Sequence, residues 1–524
     1  MERREFLYAG TSAALMSAAA GWMPGGASAG EAPMPFDFAR LKGIARALAG
    51  QAYQKPSDAL PAAISALNWD RWQAIRFRDD HSVWANTDSP YQVRFAHLGP
   101  MLRRSVRMYT VENGIATRLN FDPAFFDYSH SGLRPREVPS SLGFGGFRLL
   151  YQTDWLHDIA AFQGASYFRA VDGTLQYGMS QRGLAVNCGM QIPEEFPDFV
   201  AYYLERPARG SDRITVYGLL DSLSVTGAYR FIIQAGDTLT MEIDSALYPR
   251  KEIERIGIAP GTSMFFYGKS DRHRSNDWRP EIHDSDGLQL YTGAGEWIWR
   301  PLVNPRGVRV NTFSDRNPRG FGLMQRERSF EAYQDDAVFY DRRPDCWVET
   351  KGDWGAGEVV LLELPTEDET NDNIVAFWTP ADKPQPGREY LYGYKLYWCN
   401  QNPLQQPLAY TAATRTGIGG VVGQARSHFS WRFVVDFAGR VLADLPKDLE
   451  VSPVITASRG RIEIPSARPL LSINGYRAIF DLVPDGDSTE PINLRLYLAA
   501  KGGRPLTETW LYQYTPPPAS ARRF

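Results

Sequence analysis

Residues 238–244 read TLTMEID, a stretch that alternates strictly between polar and apolar side chains. Leu239, Met241 and Ile243 point to one side of an extended chain, while the threonines and acids between them point to the other. Because a two-residue period is typical of a half-buried strand, this stretch predicts antiparallel β-sheet. RITVYGLL (213–220) and EVVLLEL (358–364) are nearly continuous apolar runs that predict more deeply buried strands.

The same kind of pattern extends from about Trp72 to Trp398, where short apolar runs are separated by Gly, Pro, Asn and Asp. One clear helical pattern precedes it in DFARLKGIARALAGQAY (37–53), whose apolar residues recur at intervals of three and four. A chain of 524 residues is too long for one ordinary core. We therefore expect more than one domain, beginning with an N-terminal helix and a large antiparallel β domain.

A second domain is predicted near the C-terminus. Residues 401–420 are polar, interrupted by Pro and Gly and without a clear period, so they predict a linker or extended loop. FSWRFVVDF (429–437) then alternates, and further short strands follow at the spacing of an immunoglobulin-like sandwich. The predicted organisation is all-β: a large β-sandwich domain at 30–399, a linker at 400–415 and an immunoglobulin-like domain at 416–524.

The first 29 residues have the features of an export signal. Arg3 and Arg4 precede Phe6-Leu7, a short apolar stretch and a small-residue cleavage site ending at Ala29. The paired arginines resemble a twin-arginine signal. Cleavage would leave a periplasmic protein without stable membrane insertion, because no later run approaches the roughly 18 apolar residues of a membrane-spanning helix. The three cysteines make no disulfide framework and are expected in the core, with one bridge left open.

Composition and motifs exclude several kinds of function. With 57 basic and 60 acidic residues and no Lys/Arg-rich cluster, the chain is not expected to bind nucleic acid. It has no H-E-x-x-H zinc motif, no G-x-S-x-G nucleophile elbow, no phosphate-binding loop and no complete calcium loop. We therefore predict neither a metal nor a cofactor. The 14 Trp, 26 Tyr and 27 Phe fit sheet cores, a carbohydrate cleft or both.

Carboxylates lie among aromatic residues in three segments, HDSDGL (283–288), FYDRRP (339–344) and TEDETNDN (366–373). Glycoside hydrolysis needs one protonated carboxyl to donate to the leaving oxygen and one carboxylate as base or nucleophile. In the third segment, crowded acids precede an apolar strand, and both like charge and partial burial raise a carboxyl pKa. An exposed hairpin turn is the alternative interpretation of the same residues.

Longer stretches carry a family resemblance, namely GASYFRA (164–170), YGMSQRGLAV (177–186), EEFPDFVAYYLERP (194–207), GEWIWRPL (295–302), NPRGFGLMQR (317–326) and DETNDNIVAFW (368–378). With these the chain resembles the periplasmic glucan biosynthesis (MdoG/MdoD) family, and its twin-arginine start resembles the D branch. The resemblance implies a galactose-mutarotase-like β-sandwich followed by an immunoglobulin-like domain, and a role with β-1,2-linked osmoregulated periplasmic glucans.

The resemblance also implies an activity and its residues. Members of the family are similar to anomer-inverting endo-β-1,2-glucanases, and some transfer the cleaved chain to a sugar hydroxyl. The family's general acid falls on Asp372, its general base on Asp284 and its proton-relaying tyrosine on Tyr340. An inverting transglycosylase, which could close a ring, and a non-catalytic glucan-binding factor are the alternatives. The expected partner is a β-1,2-linked glucan, and a homodimer is left open.

Several further candidate binding residues also have a purely structural explanation. Trp297, Trp299 and Trp354 are candidate sugar platforms, although strand tryptophans are often core residues. Arg182 and Arg300 are candidates for binding glucan hydroxyls, although each could equally cap a sheet edge or pair with a buried acid. Two further acids are weaker candidates: Asp341 ranks below Asp284 as the base, and Asp353 in KGDWG (351–355) is favoured as a turn residue.

Overall fold

The computed structural model describes residues 31–446 and 449–523, so the predicted export signal at 1–29 lies outside the described residues. The protein is mostly β-sheet, with 45% strand and 10% helix, which confirms the predicted all-β sandwich class. Within the described ranges, every helix is too short or too polar to cross a lipid bilayer.

The strands are numbered here in chain order. Their bounds are β1 Met34–Pro35, β2 Arg76–Phe77, β3 Tyr91–His97, β4 Arg107–Glu112, β5 Ile115–Leu119, β6 Phe126–Asp127, β7 Phe144–Tyr151, β8 Ala160–Gln163, β9 Tyr167–Ala170, β10 Ser180–Arg182, β11 Leu184–Val186, β12 Asp198–Glu205, β13 Arg213–Asp221, β14 Val225–Gln234, β15 Leu239–Pro249, β16 Ile256–Ser263, β17 Phe265–Tyr267, β18 Ile282–His283, β19 Gly287–Tyr291, β20 Trp297–Pro301, β21 Arg309–Arg316, β22 Gly320–Met324, β23 Asp345–Lys351, β24 Ala356–Glu363, β25 Ile374–Pro380, β26 Tyr390–Cys399, β27 Tyr410–Ile418, β28 Trp431–Ala438, β29 Val451–Ala457, β30 Arg461–Leu470, β31 Gly475–Val483, β32 Ile492–Ala500 and β33 Thr509–Tyr514.

The helices are short apart from the first. The α-helices are Phe38–Ala49, Ala62–Ser65, Trp69–Gln73, Phe330–Tyr333 and Arg440–Ala443, and the 3₁₀ turns are Asp79–His81, Pro123–Phe125, Pro135–Glu137, Arg272–Arg274, Tyr340–Arg342, Leu471–Ile473 and Ala519–Ala521.

The chain forms two compact units that interleave along the sequence. The first contains the residues up to Gly261 together with Val348–Glu358 and Phe377–Trp398. The second contains Thr262–Trp347, Val359–Ala376 and the residues from Cys399 onward. The predicted domain boundaries at 399 and 416 stay predictions.

The first unit is a sandwich of two sheets. One sheet includes, in order, β1-β5-β4-β12-β13-β14-β15-β26, and the other includes, in order, β16-β10-β9-β8-β7-β3. Aromatic side chains from the two sheets meet, since the ring of Phe162 in β8 lies 5.7 Å from Tyr202 in β12 and 5.3 Å from Phe231 in β14. This face-to-face packing buries the inner side chains of both sheets.

The predicted N-terminal helix is confirmed at Phe38–Ala49. The side chain of Asp37 accepts a hydrogen bond from the Arg40 N–H at 2.6 Å and so caps the first turn. Leu41, Ile44 and Ala45 are the buried residues of this helix, and they join a core cluster with residues of the first sheet. The alternation of residues 238–244 is confirmed as well, because Leu239, Met241 and Ile243 are buried and their neighbours are half-buried.

The second unit contains two sheets that form a C-terminal sandwich. One sheet has the order β27-β28-β31-β30, and the other runs β22-β19-β20-β33-β32-β29. Phe433 of the first sheet packs 5.2 Å from Phe480 of the same sheet and 5.9 Å from Trp510 of the second, between ring centroids. Because β33 also pairs in parallel with β20, the second sheet continues into the strands that follow residue 287.

The predicted lack of regular structure in residues 401–420 was wrong from Tyr410 onward. Tyr410–Ile418 forms strand β27, which pairs antiparallel with Trp431–Ala438. The segment has no period of its own, and its backbone hydrogen bonds come from the alternating strand beside it. Cys188, Cys346 and Cys399 are buried thiols outside any disulfide, as expected for core residues.

Candidate functional site

Asp284 lies at the end of a two-stranded ribbon formed by Phe265–Tyr267 and Ile282–His283. Its backbone N–H donates to the carbonyl of Met264 at 2.8 Å. Its side chain is buried, and its carboxylate accepts a hydrogen bond from the guanidinium of Arg343. A buried carboxylate needs such a cation, because an unpaired buried charge is costly.

Tyr340 begins a single 3₁₀ turn and is also buried. Its hydroxyl donates to the carboxylate of Glu369 at 2.5 Å, and the guanidinium carbon of Arg343 lies 4.2 Å from its ring centroid. Burial raises the pKa of Tyr340 well above its usual range, and the hydrogen bond to Glu369 raises it further. Arg343 therefore contacts both Asp284 and Tyr340, which are 56 residues apart in the sequence.

Arg279 holds the acidic loop (residues 365–373) against this cluster. Its two terminal nitrogens donate to the two carboxylate oxygens of Glu369 at 2.9 and 3.0 Å, and one of them also donates to Asp335 at 2.8 Å. A bidentate arginine–carboxylate pair has a defined geometry as well as a favourable energy. Glu369 is thus shared between Arg279 and the Tyr340 hydroxyl.

Asn373 anchors the acidic loop to the ribbon that carries Asp284. Its side-chain oxygen accepts from the Phe265 N–H at 2.8 Å, and its amide nitrogen donates to the carbonyls of Phe265 at 3.0 Å and Leu364 at 2.9 Å. The same peptide unit between Met264 and Phe265 accepts from Asp284 on one side and donates to Asn373 on the other. Asp372 is therefore tethered, through the next residue, to the backbone that positions Asp284.

The partial burial expected for Asp372 was wrong, because this residue is exposed. The crowding of like charges is also smaller than the sequence suggests, since Glu369 is neutralised by Arg279. A hydrogen bond from the Thr370 N–H lowers the pKa of Asp368, which therefore favours its charged form. The exposure of Asp368 and Asp372 agrees with the alternative of an exposed turn, but the loop is also fixed at its start, because Asn304 forms hydrogen bonds with both backbone groups of Thr366.

The three tryptophans predicted as sugar platforms are all buried. Trp297 stacks on Tyr291 at 4.2 Å between ring centroids, and the guanidinium of Arg326 lies 3.6 Å from the ring centroid of Trp299. Trp354 belongs to the first unit, and its indole N–H donates to the carbonyl of Gly393 at 3.1 Å. At 3–6% exposure, these rings pack as core residues, and their contact with sugar stays a prediction.

The two predicted arginines are paired with acids in the interior. Arg300 donates to Glu363 at 3.0 Å, and both side chains are buried. Arg182, in the first unit, is buried and donates to Glu194 at 2.6 Å. Arg300 thus pairs with a buried acid, whereas Arg182 pairs with a half-buried one. Contact of either arginine with glucan stays a prediction.

The two weaker acids differ in their surroundings. Asp341 is partly buried and its nearest cation is Arg342 at 3.7 Å, whereas Asp284 is held by Arg343 in the connected cluster. Asp353 is exposed between Gly352 and Gly355, whose φ angles are +73° and +77°, which is the backbone geometry of a turn. Neither observation raises these acids above Asp284.

His283 adds a buried titratable group next to Asp284. Its two ring nitrogens lie 3.2 Å from Glu281 and 3.1 Å from Gln325, and Gln325 in turn donates to the carbonyl of Tyr340 at 2.5 Å. In the part of the chain that the structure describes, no group of three or more His, Cys, Asp or Glu is arranged to hold a metal ion.

Three residues that connect the cluster were not predicted from the sequence, namely Arg279, Arg343 and Glu369. Arg343 lies inside the quoted segment FYDRRP, and the signal that could have identified it is the need of a buried carboxylate for a cation. Glu369 was counted only as a source of like charge. Its role depends on Arg279, which is 90 residues away in sequence.

The fold and this cluster define a class: an all-β sandwich protein with a connected site of carboxylates, arginines and a buried tyrosine. Residues 36–514 match the family model described as "Periplasmic glucan biosynthesis protein, MdoG". The chain belongs to this family, which implies a periplasmic location and supports a role in periplasmic glucan biosynthesis.

The names of two similar proteins agree with this family membership. The chain is 61% identical over 489 residues to the glucans biosynthesis protein D of Stenotrophomonas maltophilia strain K279a, covering 93% of this chain and 91% of the relative. It is 57% identical over 533 residues to the glucans biosynthesis protein D of Xanthomonas axonopodis pv. citri strain 306, covering 100% of each.

Proposed function

We propose that this protein is an anomer-inverting endo-β-1,2-glucanase that cleaves the backbone of periplasmic glucans. In this proposal Asp372 is the general acid, Asp284 is the general base and Tyr340 relays the proton between the attacking water and the base. The carrying observation is the chain of contacts from Asp284 through Arg343 and Tyr340 to Glu369, three residues before Asp372. Export by the twin-arginine route belongs to the same proposal.

Tyr340 has the protonation state that a relay needs. Its raised pKa keeps the hydroxyl neutral near pH 7, so the group can accept one proton while it donates another. Direct abstraction by a base within hydrogen-bond reach is the more usual arrangement. A relay is consistent with Asp284 being buried under Arg343, where water does not reach the carboxylate freely.

Glucan binding would complete the site. The Tyr340 hydroxyl donates to Glu369, so it must turn away from Glu369 to serve the attacking water. A glucan chain lying over the exposed Asp372 would remove water from that carboxyl, which favours the neutral form that a general acid needs. The catalytic arrangement would therefore assemble only around substrate.

The decisive experiment incubates the mature protein with linear β-1,2-glucan and resolves products by size and anomeric form. We expect short oligosaccharides released first as the α-anomer, which is the product of inversion. Asp372→Asn and Asp284→Asn should each lower the rate by more than ~10³-fold with glucan binding retained, within the range for loss of a general acid or base. Tyr340→Phe should also be strongly impaired.

Asp353→Asn is the matched control, because it changes an exposed turn carboxyl and should leave the rate near that of the wild type. Wild-type turnover by Asp372→Asn would remove that residue from the mechanism, and activity retained by Asp284→Asn would move the base to Asp341. New linkages without a matching rise in reducing ends would assign transglycosylation instead. Intact glucan that is bound but not cleaved would assign a glucan-binding role.

A further inference from the structure

Trp278 is a largely exposed tryptophan, in contrast to the three tryptophans predicted as sugar platforms. It is 73% exposed, whereas the tryptophans singled out in the sequence are buried. A large apolar ring in water loses the favourable transfer energy of its surface, roughly 25 cal/mol for each Å² that stays exposed. Trp278 is in the second unit, with Asp284, Tyr340 and the acidic loop.

The backbone on both sides of Trp278 is fixed. The Asp277 carboxylate accepts from the Arg279 N–H at 2.9 Å and from its side chain at 3.1 and 3.0 Å. The hydroxyl of Tyr267 donates to the carbonyl of Arg279 at 2.8 Å, and the Asp277 N–H donates to Ser275 at 3.2 Å. These bonds place Trp278 at the outer corner of an Asx turn, so the ring is presented to solvent by a rigid support.

The same support places Trp278 beside the candidate site. Arg279 is the next residue, its guanidinium carbon lies 6.0 Å from the Trp278 ring centroid, and its nitrogens hold Glu369 and Asp335. Asp335 also accepts from the N–H of Val338 at 2.7 Å, and Val338 is itself 40% exposed. An exposed indole and an exposed aliphatic side chain thus flank the arginine that holds the acidic loop.

We propose that Trp278 is a stacking platform for a glucose ring of the bound β-1,2-glucan, next to the site of cleavage. This inference rests on the proposed function, since it names a substrate subsite of the same site. The apolar C–H face of a glucopyranose ring matches a flat aromatic surface, and tryptophan offers the largest one. Covering about 55 Å² of the exposed indole by sugar corresponds to roughly tenfold tighter binding.

The test measures binding of linear β-1,2-glucan by calorimetry to Asp372→Asn, which prevents cleavage, and to the same protein carrying a second substitution. We expect Trp278→Ala to weaken binding about tenfold and Trp278→Phe to retain most of the affinity. Trp69→Ala is the matched control, because Trp69 is a 59% exposed tryptophan of the first unit. It should bind as Asp372→Asn alone.

The outcomes separate the two proposals. Equal affinity of Trp278→Ala and its parent would overturn the platform and leave the proposed function standing. Absence of glucan binding by both Asp372→Asn and the wild-type protein would overturn the proposed function and the platform with it. Because Trp278 is exposed, its variants should unfold at the same temperature as the parent, so an equal melting temperature with weaker binding supports a direct sugar contact.

Discussion

His283 is a completely buried histidine whose charged neighbours lie in the loops beside strands β17, β18 and β19. Glu281 and Asp286 face it, Lys269 lies 3.5 Å from Glu281, and the ring of Tyr333 packs 5.2 Å from the imidazole. Burial lowers the pKa of His283, but the hydrogen bond and charge of Glu281, with a contribution from Asp286, outweigh burial and raise it overall. Although burial opposes it, the same pairing lowers the pKa of Glu281.

These shifts predict how stability depends on pH. A histidine with a raised folded pKa contributes its full stabilisation below its unfolded value of about 6.5 and loses it as pH rises through the folded value. Thermal unfolding of the wild type and His283→Gln should therefore differ more at pH 6 than at pH 9. The side chain of His157 is 64% exposed, so His157→Gln should change the melting temperature little at either pH. A difference for His283→Gln that is equal at both pH values would contradict the charged pair.

Among the elements, the acidic loop is defined by its anchors rather than by secondary structure. It joins Glu363 at the end of β24 to Ile374 at the start of β25, and Asn373 is its buried end. The Asn373 side chain satisfies three backbone groups on two segments. The position of Asp372 therefore depends on an uncharged neighbour.

Asn373→Ala should lower stability by about 2 kcal/mol or more, because it leaves buried backbone groups without partners. It should also reduce turnover of β-1,2-glucan more than tenfold at a temperature where the variant is folded, since the loop loses its register. Chemical denaturation and the rate assay measure the two effects. Asp368→Asn, at an exposed position of the same loop, should do neither. Full turnover by folded Asn373→Ala would show that Asp372 does not need this anchor.

At the scale of the whole molecule, a buried ion pair links the C-terminal sandwich to the strands near the site within the second unit. Arg326 donates to both carboxylate oxygens of Glu508, at 2.5 and 3.0 Å, and to the carbonyl of Thr411 at 2.8 Å. Glu508 also accepts from the Thr411 N–H at 2.7 Å. Arg326 thus connects Thr411 and Glu508 to the segment that follows β22.

Glu508→Gln should destabilise the protein by about 3 kcal/mol, because it leaves the largely buried guanidinium of Arg326 without its counter-charge. Arg495→Ala breaks a more exposed pair with Glu296 that joins the same parts of the unit, and should cost less than about 1 kcal/mol. Denaturant titrations compare the two. Similar losses for both variants would mean that burial does not decide the strength of this link. Arg326→Met added to Glu508→Gln should recover part of the loss.

Much of the secondary structure could be predicted because its signals are local. The three- and four-residue spacing of 38–48 and the two-residue spacing of 239–243 are complete within each segment. Residues 410–418 carry no such signal, since their strand exists through pairing with 431–438. For the same reason, the motifs identified Asp284, Tyr340 and Asp372 as candidates but did not predict the contacts among their segments. Those contacts require cations and anchoring residues that are far away in the sequence.

The sequence by itself determined the all-β class, the N-terminal helix, the family and the candidate carboxylates, because the periods and the motif residues lie within short stretches. Only the tertiary structure decided that Arg343 joins Asp284 to Tyr340 and that Glu369 belongs to Arg279. It also decided which indole meets solvent, since Trp278 is exposed and the predicted platforms are buried. Burial and ion pairing depend on which distant segments pack together. The exposure of a given tryptophan therefore depends on tertiary packing and not on its local sequence.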